Sequence, residues 1–423
     1  SEDGDDADIN AAGYVVPGAI AEALAHWTVE GVTAAPAGQA LIIDRCDRPA
    51  DPTLGDRLEQ VGARVTRIQA DGTAAMLVPP HRATVPENIV AAIIRWFEEW
   101  RLAPSPAGAS GRESGGTLRQ LRESAACRER AVRFGADDRL FGMLASPTRD
   151  TGAPSIILLN TGVEHHVGPH RLYVPLSREW AARGHHVLRY DLGGIGDSEP
   201  PAAMSQNVAY PAHLLDDARE AVAFIHEVAP RRPVIMAGLC SGGWLAFRAA
   251  REGLAVDAIV AVNAPLYLRD DAVGTRWRAE LEEFAELVRY QKSLRDPSRW
   301  AKAFTGRASY ATFARIVAGA VRRRVTTRLD LLKANARLDG LAGDLDAIAR
   351  RGIRALFIFS SGDGGFEYYQ LHAPPAFRRP NVSECIRHVV IEGAGHSFRP
   401  RAAQQALREL LVDFVTSRSD ATI

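Results

Sequence analysis

Two hydrophobic rhythms alternate along residues 130–423, and their alternation predicts the elements of a doubly wound α/β fold. Ser155–Asn160 reads Ser-Ile-Ile-Leu-Leu-Asn, an unbroken apolar run of the kind that forms strands buried on both faces. The segments His186–Asp191, Pro233–Ala237, Ala258–Val262, Ile353–Ser360 and Arg387–Glu392 have the same character. Between them, apolar residues recur every three or four positions. Leu214–Val228 places Leu214, Ala218, Ala221, Val222 and Ile225 on one helical face. Leu172–Arg183, stopped by Gly184, with Ser241–Arg251 and Ala402–Val415, complete the predicted helices. A hairpin around Asp137-Asp138, Ala131–Gly135 with Arg139–Ser146, precedes the series. Strands separated by helices imply a mostly parallel sheet with right-handed crossovers. From about 270 to 350 the strand rhythm lapses into helical, Arg-rich sequence, which predicts a helical cap over the strand ends.

Upstream the pattern is shorter. Residues 1–105 offer a strand at Gln39–Asp44, a helix at Pro52–Val61, a strand at Ala63–Gln69 and an amphipathic helix at Pro86–Trp100. Residues 106–125 read as a linker, opening Pro-Ala-Gly-Ala-Ser-Gly. The order of the upstream elements parallels the last quarter of the downstream block. Leu41-Ile42-Ile43-Asp44 stands against Leu356-Phe357-Ile358-Phe359, and 86–100 against the final helix. Asp47 stands against Asp363 in that parallel, but Thr73-Ala74-Ala75-Met76 stands where the downstream block has Gly393-Ala394-Gly395-His396, and His81 is displaced. The segment therefore reads as catalytically inactive. Its two strands expose too much apolar surface to stand alone, so it packs on the larger block, pairs with a twin copy as a homo-oligomer, or belongs to a longer chain.

Composition narrows the function. Lys+Arg and Asp+Glu both total 51, which gives no reason to expect nucleic acid or an anionic membrane as partner. The longest apolar runs fall short of a membrane span, and the acidic start lacks the plan of a signal peptide. The first residue is Ser rather than Met, the mark of a processed or engineered end. Cys46, Cys127, Cys240 and Cys385 lie far apart, a spacing that fits neither a zinc knuckle nor a disulfide scaffold and suits a reducing cytoplasm.

The chemistry concentrates at Gly238-Leu239-Cys240-Ser241-Gly242-Gly243, a strand-to-helix turn. Small residues two before and two after a nucleophile allow a sharp turn without a Cβ clash. Gly238 and Gly242 bracket Cys240 on that rule, whereas Ser241 would need Leu239 as its small residue. Cys240 therefore takes the nucleophile position, with the Ser241 N–H as an oxyanion donor. Glu164-His165-His166 with His170 matches no zinc spacing and reads as pocket lining. Gly194-Ile195-Gly196 fails as a dinucleotide fingerprint because Glu199 holds the third glycine position and Pro200-Pro201 blocks a helix. Arg322-Arg323-Arg324 with Arg328 is a solvated face or a docking patch for an acidic carrier.

With these motifs the block from about 130 to 423 resembles the α/β-hydrolase superfamily, whose chain order is nucleophile, acid, histidine. The resemblance implies Asp363, in Ser361-Gly362-Asp363-Gly364, as the acid, and His396, ending Glu392-Gly393-Ala394-Gly395-His396, as the base. It implies Val163, in Asn160-Thr161-Gly162-Val163, as the second oxyanion donor, with Gly162, His166 and His170 lining the substrate pocket. Asp191-Leu192-Gly193-Gly194-Ile195-Gly196-Asp197-Ser198 resembles a structural turn of the superfamily. Most members carry Ser; a cysteine-nucleophile minority includes dienelactone hydrolases and carrier-protein aminoacyl shuttles of secondary metabolism. The expectation is an acyl-transfer enzyme, hydrolase or transacylase, acting on a small acyl thioester or ester, free or carried by coenzyme A or a carrier protein, without cofactor or metal. A dienelactone-like ester hydrolase and a non-catalytic scaffold are the competing readings.

Overall fold

The computed structural model describes residues 9–11, 14–77, 84–99, 120–123, 127–202, 206–268, 340–398 and 400–416, with single positions 204, 273, 276 and 279. The chain divides into two compact units, Ser1–Thr117 and Leu118–Ile423.

The first unit opens with the antiparallel pair β1 (Ile9–Ala11) and β2 (Tyr14–Val16), followed by helix α1 (Gly18–Ala25). Strand β3 (Gln39–Arg45), helix α2 (Thr53–Gln60) and strand β4 (Arg64–Ala70) form a right-sized crossover, and β3 and β4 pair in parallel from Gln39↔Arg64 to Arg45↔Ala70. A short helix α3 (Thr73–Met76) leads to α4 (Glu87–Glu99). Ile89 is buried, and the Trp96 Nε1–H donates to Thr66 Oγ1 at 3.2 Å, which fixes α4 against β4. The sequence puts Phe97 on the same face, but it is exposed, as are Leu24, Trp27, Leu77 and Val85. Trp100 and His81 lie outside the described residues.

The second unit is built on a nine-stranded sheet. Its strands are β5 (Gln120–Glu123), β6 (Cys127–Phe134), β7 (Leu140–Pro147), β8 (Ser155–Leu159), β9 (Val187–Tyr190), β10 (Val234–Leu239), β11 (Ala258–Val262), β12 (Arg354–Ser360) and β13 (Ile386–Ile391). They lie in the order β13-β12-β11-β10-β8-β9-β7-β6-β5. Strands β8 through β13 run parallel to one another, whereas β7 pairs antiparallel with β9 and with β6, and β6 antiparallel with β5, at one edge. The chain steps outward from β8 to β9, then returns across β8 to β10. That reversal leaves a crevice at the carboxyl ends of β8 and β10, where sheets of this kind place their chemistry.

Helices cover both faces because the buried strands are apolar on both. In β10, Val234 and Met236 enter one core, while Ile235, Ala237 and Leu239 enter the other. The first core is closed by α6 (Leu214–Val228), α7 (Ser241–Arg251) and α8 (Gly340–Arg350). The second is closed by α5 (Tyr173–Ala182) and α11 (Arg401–Thr416). Between β12 and β13 run α9 (Gly364–His372) and α10 (Pro380–Cys385).

Two boundaries differ from the sequence expectation. The final part of the 106–125 linker is structured, since β5 pairs antiparallel with β6. The expected cap runs to 350, but α8 is the crossover helix into β12: Leu341, Ala342, Leu345, Ile348 and Ala349 are buried in the first core. The amphipathic stripe of α8 is what places it there. The remainder of the expected cap, including Arg322, Arg323, Arg324 and Arg328, lies outside the described residues.

Candidate active site

Cys240 occupies the single residue between β10 and α7, at φ 55° and ψ −115°. A left-handed φ is costly for a residue with a side chain, and such strain persists only where the surroundings enforce it. They do so here. A Cβ at Gly238 would stand 2.4 Å from the Gly242 carbonyl carbon, and one at Gly242 would stand 2.6 Å from the Asn160 carbonyl oxygen. The Cys240 N–H donates to the Val262 carbonyl at 2.8 Å. The turn is thus clamped between β8 and β11, and the free thiol is held half-buried at its apex.

Asp363 and His396 come from the ends of β12 and β13. Asp363 caps α9, its Oδ1 accepting from the Gly365 N–H at 2.8 Å, and its Oδ2 accepts from His396 Nδ1 at 2.7 Å. His396 also hydrogen-bonds with Cys240. Burial of the ring opposes its charge, but those two partners outweigh it and raise the imidazolium to about 10. The side chain of His396 is 53% exposed, so solvent screens part of that attraction. Cys240, His396 and Asp363 therefore meet, although 33 residues separate the last two and Cys240 lies more than a hundred upstream.

The oxyanion candidates lie on facing segments. Val163 is buried, and among the described residues neither its N–H nor that of Ser241 has a hydrogen-bond partner. Gly162, at φ 59°, instead donates its N–H to Ser241 Oγ at 2.6 Å, and that hydroxyl donates to the Asn160 carbonyl at 3.3 Å. His170 reaches Ser397 Oγ at 3.4 Å, beside the His396 turn. His166 is tied down: its N–H and its Nδ1 both meet Asp191, at 2.6 and 2.7 Å. The Asn160 side-chain amide adds 2.9 Å to the same carboxylate. Ligand atoms of His165, Asp191 and Asp197 approach within 4.8 Å of one another. The Asp191 carboxylate is already occupied as an acceptor, which makes it a brace for the 160–166 loop rather than an open metal ligand.

Three tyrosines that sequence reading passes over surround the thiol. The Tyr173 hydroxyl accepts from the Leu239 N–H at 3.2 Å; burial pushes its phenol up to about 12, against the pull of Thr161 and Leu239. Tyr210 is buried edge-on to Trp244, with ring centroids 5.6 Å apart. Burial first, then the charges of Cys240 and Tyr267, hold its phenol well above the ordinary range. Burial and the charges of Cys240 and Asp363 act likewise on Tyr267. Single tyrosines, one at the start of α5 and two in loops, carry no local motif, so only the fold brings them together.

The strand order, the strained turn after β10 and the acid and histidine after β12 and β13 decide the architecture. The second unit has an α/β-hydrolase fold. Residues 153–337 match the family model described as serine aminopeptidase, S33. No curated protein matches the chain. Among solved structures, the chain is similar to a dienelactone hydrolase from Anabaena variabilis, at 14% identity and a TM-score of 0.40, covering 68% of this chain and 96% of that one. A proline iminopeptidase from Mycobacterium smegmatis is similar at 15% identity and a TM-score of 0.38, over 67% and 98% of the two chains. A hypothetical protein from Pseudomonas aeruginosa reaches 18% and 0.42, over 71% and 98%. The matched family is serine-type, whereas this chain carries Cys240 at the strained turn.

Proposed function

We propose that this protein is an acyl-transfer enzyme, hydrolase or transacylase, that works through an acyl-cysteine at Cys240. The observation that carries the reading is the chain of contacts from Asp363 through His396 to Cys240, with the thiol on a positive-φ turn. In the reaction, His396 takes up the thiol proton and the sulfur attacks the substrate carbonyl carbon. The negative charge on oxygen meets the Val163 and Ser241 N–H groups. As the carbonyl bond to the leaving group breaks, His396 returns the proton to that group. A second acceptor, water or another nucleophile, gives its proton to His396, attacks the acyl-cysteine and expels the Cys240 sulfur. Asp363 fixes the His396 ring so that its Nε2 faces these atoms.

The thiol favours thioester substrates. An acyl-cysteine is itself a thioester, so exchange with a thioester on coenzyme A or phosphopantetheine is nearly balanced in energy. A decayed scaffold would have no reason to keep a strained cysteine, its two flanking glycines and a hydrogen-bonded acid–histidine pair. In the first unit, Asp47 is taken up by an ion pair with Arg45, at 2.6 Å, which supports a structural role for that segment. The test is intact-mass spectrometry after mixing the protein with acyl-coenzyme A, carrier-bound acyl groups or a lactone. The expected result is an acyl adduct on Cys240 from the thioesters. An adduct that forms equally on Cys240→Ala protein would sink the proposal.

A further inference from the structure

One residue outside the triad bonds directly to the histidine turn and to the strand that leads into the acid turn, and adjoins the residue that anchors the cysteine turn. Asn263 follows directly on Val262, whose carbonyl accepts the Cys240 N–H at 2.8 Å. Its own N–H donates to the Ile358 carbonyl in β12 at 2.8 Å. Its side-chain Oδ1 accepts from the Ser360 N–H at 2.8 Å, and its Nδ2 donates to Ser360 Oγ at 3.0 Å. The second Nδ2 hydrogen goes to the carbonyl of His396 itself, at 2.7 Å. The amide orientation follows from chemistry, because the His396 carbonyl can only accept and the Ser360 N–H can only donate.

The backbone around this amide is equally committed. Asn263 adopts φ 44°, and its residue is 1% exposed. Left-handed backbone is tolerated by Asn better than by most residues. Ser360 is also buried, and its carbonyl accepts the Asp363 N–H at 3.1 Å, so the amide reaches the acid through a single hydrogen-bonded turn. A strand that simply ended could have satisfied these groups with water. Here one carboxamide uses every polar atom it has, on the acid turn and the histidine turn together.

We infer that Asn263 is a positioning residue that holds the His396 and Asp363 turns in register with the Cys240 turn. The inference rests on the proposed Cys-His-Asp reading of the site. Its mechanism is geometric. Asp363 fixes the His396 ring and Asn263 fixes the His396 backbone, so the imidazole is held at two points and its approach to the sulfur is set. Loss of the second point leaves the ring free to pivot about the first.

The experiment follows alkylation of Cys240 by iodoacetamide at pH 7, by peptide mass spectrometry on the full chain, with Cys46, Cys127 and Cys385 as internal controls. Asn263→Gly keeps the left-handed backbone and removes the carboxamide. Asn263→Asp keeps the acceptor for the Ser360 N–H and loses the donor to His396. Both are expected to slow Cys240 alkylation about tenfold, since small misplacements of a catalytic group carry penalties of that order or larger. In a His396→Ala background the same changes should have no further effect, because Asn263 acts through His396. Additive slowing in that background, or an unchanged rate in a folded Asn263→Gly protein, would overturn the inference. Slowing that spreads equally to the control cysteines would do the same, as it would report general loosening. Failure of the underlying reading is recognised separately: His396→Ala would then leave Cys240 alkylation at the wild-type rate.

Discussion

The Gly162 N–H donates to Ser241 Oγ at 2.6 Å, so the hydroxyl next to Cys240 is spent on holding the loop after β8. Ser241 is buried, and its Oγ hydrogen is directed to the Asn160 carbonyl. Its hydroxyl thus ties the start of α7 to the loop after β8, while its N–H has no hydrogen-bond partner among the described residues. Ser241→Ala should keep the Cys240 acyl adduct but slow its formation about tenfold, by loosening the loop that carries Val163. Cys240→Ala should form no adduct. Single-turnover acylation followed by intact mass separates the two.

Replacing Gly238 or Gly242 with Ala should prevent a native turn. At either position the new methyl would lie under 3 Å from backbone atoms that cannot move without disturbing β8 or α7. A loss of about 3 kcal/mol or more is expected, read by chemical denaturation or as failure to obtain soluble protein. Gly162→Ala meets no neighbouring atom, but its φ of 59° still makes it mildly unfavourable.

A test of the buried charges lies away from the thiol. Glu129 accepts from Arg189 at 3.0 Å and from Arg178 at 2.7 Å, and both Glu129 and Arg189 are buried. Glu129→Gln would leave an arginine charge without its counter-charge inside the unit. A destabilisation of about 3 kcal/mol is expected, with Cys240 reactivity unchanged in the folded fraction.

Stability should fall toward both ends of the pH scale for different histidines. The His396 imidazolium is raised to about 10, so its stabilising contacts are complete below the ordinary 6.5 and are lost as pH climbs through about 10. His185 and His186 behave in the opposite sense. Burial lowers both, with the Pro154 carbonyl opposing it for His185 and Asp150 opposing it for His186. Their neutral forms favour the fold above the ordinary histidine value, and that contribution is lost as pH falls below it. Thermal melts across pH should show both limbs, and His396→Gln should flatten the alkaline one only.

Much of this was readable from residue order because local pattern and tertiary role agree. The helices Leu214–Val228 and Ser241–Arg251 and the strand Ala258–Val262 have the predicted limits, since their apolar periods match the surfaces they bury. The turn at Cys240 was legible because only small residues fit around it. Other features depend on partners far along the chain. Strand β5 is polar, Gln-Leu-Arg-Glu, and exists because β6 offers an open edge. Helix α8 has the helical rhythm of the stretch before it, and only packing in the first core distinguishes a crossover from a cap. Asn263 and Tyr210 have no local signature, because their significance lies in what other segments bring to them.

The strained backbone at Cys240 also bears on ancestry. Its conformation is imposed by Gly238, Gly242 and the Val262 carbonyl, none of which touches the reactive atom through its own side chain. Sulfur and oxygen are therefore interchangeable at that apex without rebuilding the turn. Either cysteine codon becomes a serine codon by one base change, so the exchange at this apex needs a single mutation. The step could be crossed in either direction while the scaffold stayed intact, which leaves selection free to act on the chemistry alone.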